Sequence, residues 1–149
     1  MSTFYSLANQ EDLVTGYRLL HPDDFTRLFP SWRTVAEDFA RYMLARNLPF
    51  VIHSAGSPAV ILWLHDFEDK KCWISFFSTG KGHKGRVFQA AATLLEEVFE
   101  QSSLEVISAE ICRDNPASVR IAEKLGFYKF CECADLVYYH KKRKDKQNG

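Results

Sequence analysis

Apolar and polar positions change period several times along this chain, and each change marks an element. Thr3 to Leu7 is short and apolar-aromatic and predicts a strand. Asn9 then caps a helix over roughly Gln10 to Leu20, with Glu11 and Asp12 in its first turn. His21-Pro22-Asp23-Asp24 and Pro30-Ser31-Trp32 are breaks. From Ser31 or Thr34 to Arg46, the residues Val35, Phe39, Tyr42, Met43 and Leu44 fall largely on one helical face, and Asn47-Leu48-Pro49 stops that helix. Two apolar runs follow, Phe50 to Ala55 and Ala59 to His65, joined by Gly56-Ser57-Pro58 as a hairpin. His65 and Asp66 end the second run and read as part of a surface turn, after which Cys72 to Phe77 predicts another strand.

The second half has the same grammar. Val87, Ala91, Leu94, Leu95 and Val98 stand at helical spacing. Leu104 to Cys112 alternates as a buried strand, with Leu104, Val106, Ser108 and Glu110 on one face. Arg113-Asp114-Asn115-Pro116 is a turn, Pro116 suits the first helical position, and Gly126 suits the cap after Leu125. Phe127 to Cys133 and Leu136 to His140 are the final strands. The order is strand, two helices, three strands, helix, strand, helix, two strands. That predicts a single α/β (α+β) domain over residues 1–140 with a mixed sheet.

Composition narrows the classes. The chain has 149 residues, 46% of them hydrophobic and 26% charged, which suits one soluble domain. Net charge is zero, so no nucleic-acid or membrane partner is expected. The start, M-S-T-F-Y-S-L-A-N-Q-E-D, has neither the basic nor the apolar region of a signal peptide, and the expected location is cytoplasmic. Residues 141–149, K-K-R-K-D-K-Q-N-G, predict a basic, disordered tail. Cys72, Cys112 and Cys131 lie in runs that read as buried strands, and Cys131 and Cys133 share a face. There is no C-x-x-C and no clustered His pair, so no metal site is expected.

The stretch with chemistry in it runs from Ser78 to Glu100. Gly80, Gly82, Gly85, Lys81, Lys84 and Arg86 sit between a predicted strand and a predicted helix. Glycines let a backbone approach, and the free N–H groups and dipole of a first helical turn favour an anion. The alternative is a soluble surface turn.

Asn115 to Phe127 reads N-P-A-S-V-R-I-A-E-K-L-G-F. It resembles the last conserved segment of the GNAT superfamily of acyl-CoA-dependent N-acyltransferases, in which an Asn opens a short helix ending in Leu-Gly-Phe. The element order fits the same family along nearly the whole chain. The resemblance implies a mixed, twisted sheet of about seven strands and about four helices, splayed between the strands at Cys72–Phe77 and Leu104–Cys112. Acetyl-CoA would lie in the splay as co-substrate, with an amine as acceptor. Its pyrophosphate would meet Gly82, His83, Lys84, Gly85, Arg86 and Val87. The thioester carbonyl would meet backbone near Phe77, Ser78 and Thr79, and Asn115 would reach the pantetheine arm.

Two departures from the family's pattern stand out. Laid on the family's phosphate-loop pattern, G-H-K-G-R-V keeps only Gly85 in place, and Val87 puts a branched side chain where backbone should approach phosphate. The tyrosine that many members use as acid, seven residues after the Asn, is Ala122 here, leaving Tyr138, Tyr139 or water. Glu110 is the candidate base, since a partly buried carboxylate is a stronger one; its alternative is an ion pair with Arg113 or Arg120. Phe25, Phe29 and Trp32 either pack the helices or overlie the acceptor. The expected function is direct acetyl transfer from acetyl-CoA to a primary amine. The alternative is a GNAT-fold protein that has lost catalysis and serves as an assembly or interaction factor with a protein partner, as resembled by short GNAT-like proteins of tailed phages.

Overall fold

Asn9 and Asn115 cap helices where the sequence places them. In the computed structural model, which describes residues 3–20, 35–81 and 84–144, Asn9 accepts from the Asp12 N–H at 2.8 Å while Asp12 accepts from the Asn9 N–H at 3.0 Å. That reciprocal pair opens helix α1 (Gln10–Leu19), which follows strand β1 (Thr3–Leu7). Helix α2 (Ala36–Arg46) starts after Val35. Positions 31–34, where an earlier start was expected, lie outside the described residues, as do Phe25 and Phe29.

The buried stripe of α2 is Ala36, Phe39, Ala40 and Met43, whereas Val35, Tyr42 and Leu44 are exposed. Phe39 and Met43 lie on the buried face as expected, whereas Val35, Tyr42 and Leu44 do not, and Ala36 and Ala40 complete it. Gly16 lets α1 close on the sheet, because a Cβ there would stand 2.7 Å from Ile61 Cγ1.

The strands are β2 (Leu48–Ser54), β3 (Ser57–Glu68), β4 (Lys71–Ser78), β5 (Val106–Cys112), β6 (Tyr128–Cys133) and β7 (Leu136–Lys142). They form one seven-stranded sheet in the order β1-β2-β3-β4-β5-β7-β6. Every adjacent pair is antiparallel except β4 and β5, which are parallel. A parallel pair needs a crossover, and helix α3 (Lys84–Glu100) supplies it. Helix α4 (Pro116–Lys124) joins β5 to β6 and ends as predicted at Gly126, whose φ is +92°. The Gly126 N–H donates to Glu123 O at 3.1 Å and the Phe127 N–H to Ala122 O at 3.0 Å, a complete Schellman pair.

Two layers of helix cover the two sheet faces unequally. Leu13, Phe39 and Met43 pack on Val51, Ile61, Trp63 and Phe77 on one face. On the other, Leu94, Leu95 and Phe99 of α3 and Ala122 of α4 pack on Ile52, Leu62, Cys72, Ile107 and Tyr139. Burying such side chains supplies roughly 1.5–3 kcal/mol each and holds the central strands in register.

Several edges differ from the reading of the sequence. The β2–β3 turn is Ala55-Gly56, both with positive φ, so Ser57 and Pro58 belong to the strand. Cys131 is exposed on the edge strand β6, not buried. The expected tail is partly structural: β7 runs to Lys142, Lys141 Nζ donates to Leu125 O at 2.6 Å, and Arg143 donates to Leu104 O at 2.9 Å.

Candidate active site

Pairing between β4 and β5 runs from Lys71–Val106 to Ile74–Ala109 and then stops. Beyond that rung the strands diverge, and the gap is a cavity of about 650 Å³. Ser75 to Ser78 form one wall and Glu110 to Cys112 the other, with Asn115, Ser118 and Ile121 closing it from the α4 side. Ser75 and Glu110 are therefore the first unpaired residue on either side. The splay is where the family resemblance put it.

The phase of the β3–β4 ladder sets what the gap offers. The Thr79 N–H donates to Ala59 O at 2.9 Å. Hydrogen-bonded and non-bonded pairs alternate along an antiparallel ladder, so Ser75 and Phe77 also bond toward β3. Phe76 and Ser78 therefore turn their N–H groups toward the gap, where no strand takes them. Such donors suit a carbonyl oxygen that gains charge.

Thr79, expected beside the thioester, is corrected by the same bond: its N–H is committed to Ala59, and its hydroxyl donates to Pro58 O at 2.8 Å. Its neighbours are tied in too, with the Gly80 N–H on Ser78 Oγ at 3.2 Å and the Lys81 N–H on Thr79 Oγ1 at 3.3 Å. Phe77 is buried, facing Phe39 and Trp63, so only its backbone belongs to the cavity wall.

The glycine-rich segment continues into α3 at Lys84. Gly82 and His83 lie outside the described residues. Lys84, Gly85 and Arg86 are exposed in the first turn of a 17-residue helix, where free N–H groups and the dipole favour an anion. Val87 does not obstruct this end. Its side chain packs with Ile52 and Leu62 against the sheet. The helix turns this side chain toward the sheet rather than toward its exposed first turn.

Asn115 lines the cavity and caps α4, its Oδ1 accepting from the Ser118 N–H at 3.3 Å. Capping uses the carbonyl oxygen and leaves the amide N–H₂ for the cleft. Glu110 lines the cavity but is exposed, so the partial burial expected of it is absent. The alternative pairing is absent as well: Arg113 bonds Glu132 at 2.9 Å, and among the described residues no ion pair joins Glu110 to Arg113 or Arg120.

Tyr138 stands opposite Glu110 in the β5–β7 register, beside the cavity rather than among its lining residues. Burial, then the neighbouring Glu110 carboxylate, raises the Tyr138 phenol above its ordinary value, so it stays protonated at neutral pH. Tyr139 faces the other side and donates to Glu123 Oε1 at 3.3 Å, which removes it as a proton source for the cleft. Ala122 is buried in the core.

The sequence reading passed over a second polar group in the cavity. Strand β3 runs on through His65 and Asp66 instead of turning there. His65 Nδ1 lies 2.6 Å from Asp66 Oδ2, and His65 Nε2 lies 2.8 Å from Ser75 Oγ. A lone serine inside the apolar run C-W-I-S-F-F was the available signal.

The model of the acetyltransferase (GNAT) domain family matches residues 3–128. The chain belongs to the GNAT acetyltransferase family. Solved GNAT structures superpose over nearly the whole chain. The aminoglycoside acetyltransferase AAC(6')-Ib with acetyl-CoA has a TM-score of 0.76 at 17% identity, covering 96% of this chain and 94% of that one. RimL, a ribosomal alpha-N-protein acetyltransferase solved with coenzyme A, has 0.76 at 14%, covering 96% and 95%. A ribosomal-protein alanine acetyltransferase from Vibrio fischeri has 0.73 at 15%, covering 97% and 95%. At these identities the likeness concerns the fold. No curated protein matches at the sequence level. Among the described residues of this GNAT chain, no group of three or more His, Cys, Asp or Glu is placed to hold a metal ion. No described helix is long and apolar enough to cross a membrane.

Proposed function

We propose that this protein transfers an acetyl group from acetyl-CoA directly to a primary amine. The observation that carries the reading is the break in β4–β5 pairing after Ile74 and Ala109, which turns the Phe76 and Ser78 N–H groups into an otherwise unpaired gap. Those two donors bind the thioester oxygen and stabilise the charge that develops there. Asn115 holds the pantetheine arm through its amide, and the first turn of α3 with Lys84, Gly85 and Arg86 binds the pyrophosphate, joined by Gly82 and His83. Most of the rate comes from holding amine and thioester together.

Glu110 attracts the amine as its ammonium form from the opposite wall. Tyr138, kept protonated beside it, protonates the departing thiolate directly or through one water. The amine class is supported by AAC(6')-Ib, solved with coenzyme A and kanamycin, and by RimL, an alpha-N-protein acetyltransferase.

Calorimetric titration with acetyl-CoA and coenzyme A tests the binding half, with micromolar affinity expected. Thiol release with kanamycin or a peptide amino terminus as acceptor tests the transfer half. Absence of any heat at millimolar acetyl-CoA would end this reading.

A further inference from the structure

We propose that Ser75, His65 and Asp66 form a proton relay that deprotonates the acceptor amine; this rests on the transferase reading above. The three side chains line the same cavity as Glu110 and Asn115. Asp66 Oδ2 sits 2.6 Å from His65 Nδ1, and a carboxylate accepts, so Nδ1 carries the hydrogen. That tautomer leaves a lone pair on Nε2, 2.8 Å from Ser75 Oγ, and Ser75 donates its hydroxyl hydrogen to it. The order carboxylate, imidazole, hydroxyl is the one that activates a hydroxyl elsewhere in enzymes.

Two further observations tie the group to the reacting centre. Ser75 is the first β4 residue past the last rung shared with β5, and the residue after it, Phe76, offers an N–H to the gap. The relay therefore sits one residue from the oxyanion donor, while Glu110 is the first unpaired residue on the facing strand. The second is the backbone of Asp66. Its φ is +52°, a left-handed conformation uncommon outside glycine, at the irregularity that interrupts β3–β4 pairing between His65 and Glu68. The Asp66 carboxylate nevertheless reaches the preceding imidazole at 2.6 Å. Asp66 is largely exposed, at 78%, so the pair contributes little to stability and the conformation is not explained by an ion-pair gain.

The step balances without any further reagent. The ammonium first loses one proton to solvent. The amine nitrogen then attacks the thioester carbonyl carbon, forming the C–N bond. Its surplus proton passes to Ser75 Oγ as the Ser75 hydrogen passes to His65 Nε2, giving an imidazolium held by Asp66. The C–S bond breaks, the sulfur leaves with the electron pair and takes a proton from Tyr138, directly or through one water; Tyr138 then regains a proton from solvent and His65 returns its own to solvent. Ser75 is the catalytic residue, and His65 and Asp66 position and charge it.

The ionisable side chains lining the cavity are His65, Asp66, Glu110 and Cys112, and single variants separate their roles. The assay is thiol release from acetyl-CoA with butylamine as acceptor, or with water when no amine is added. Ser75→Ala and His65→Gln are expected to lower the rate about 100-fold, and Ser75→Thr, which keeps the hydroxyl, to restore it to within about tenfold of wild type. Affinity for acetyl-CoA by calorimetry is expected to stay within about twofold, placing the loss in turnover. The loss in His65→Gln is expected in kcat with KM for acetyl-CoA nearly unchanged. An unchanged rate in Ser75→Ala, or a rate that survives His65→Gln and is lost in Glu110→Gln, overturns the relay and hands its role to Glu110. A wild type that binds acetyl-CoA but releases no thiol above the uncatalysed rate also overturns it. A wild type that does not bind acetyl-CoA defeats the transferase reading itself, which is a separate result.

Discussion

Between Lys71 and Ile74, strand β4 pairs with β5 and, across one irregularity, with β3; between Ser75 and Ser78 it pairs with β3 alone. The residues differ accordingly. The closed end carries Cys72 and Ile107, both buried among Leu95, Phe99 and Leu104, and burial pushes the Cys72 thiol up to about 11. The open end carries Ser75, Ser78, Glu110 and Asn115, half-buried or exposed. One pair of strands thus holds the fold at one end and leaves its facing backbone groups without a strand partner at the other. Function at the open end depends on the closed end being too well packed to follow it apart.

That contrast is sharpest at Ile107. Ile107→Ala removes a fully buried side chain and is expected to cost about 3 kcal/mol of stability. Chemical denaturation checks it, and acetyl-CoA affinity of the folded protein should be unmoved. Loss of affinity at unchanged stability would mean that the two ends are not separable.

Asn115→Asp probes the open end. Asp caps a helix as well as Asn, so stability should hold within about 0.5 kcal/mol, while loss of the amide donor should weaken coenzyme A about tenfold. Asn115→Ala should lose the affinity and about 1 kcal/mol of capping as well. Calorimetry paired with melting distinguishes the two roles.

Lys84→Ala should weaken coenzyme A by about threefold at low salt, with the difference vanishing near molar salt as screening removes it. An effect independent of salt would deny the α3 end its role.

The smallest effect concerns pH at the closed end. Burial, and then the charges of Lys142 and Lys71, lower the His140 imidazole below its ordinary value. Its Nδ1 shares a hydrogen bond with Ser108 at 2.8 Å, and its ring stacks on Phe130. As pH falls below about 6.5, the unfolded chain takes a proton that the folded chain refuses. Stability should therefore decline through that range and level off once the folded form is protonated too. Melting of His140→Gln across the same range should show a shallower decline than wild type.

Local chemistry was readable from the sequence and long-range pairing was not. Asn9, Asn115, Pro116 and Gly126 announced their caps because a cap is decided within four residues. The helical spacing of Leu94, Leu95 and Val98 announced the crossover. Nothing local announces that β4 and β5 part after Ile74, and so the juxtaposition of Ser75 with Glu110 was invisible. His65-Asp66 read as a turn because polar residues after an apolar run usually are one, and a left-handed Asp inside a strand leaves no periodic trace. Val87 was misjudged for a related reason. Aligned as a loop residue it faces phosphate, but as the fourth residue of a helix starting at Lys84 it faces the sheet.

Strand β7 lies between β5 and β6, although it follows both in the chain. During synthesis, β5 therefore presents a bare edge until Leu136–Lys142 has emerged, with β6 waiting for its only neighbour. The late strand must insert rather than add, and Arg143 then latches it to Leu104. Until then the open β5 edge is a template on which another extended segment can pair, so this strand order bears on folding yield rather than on the finished fold.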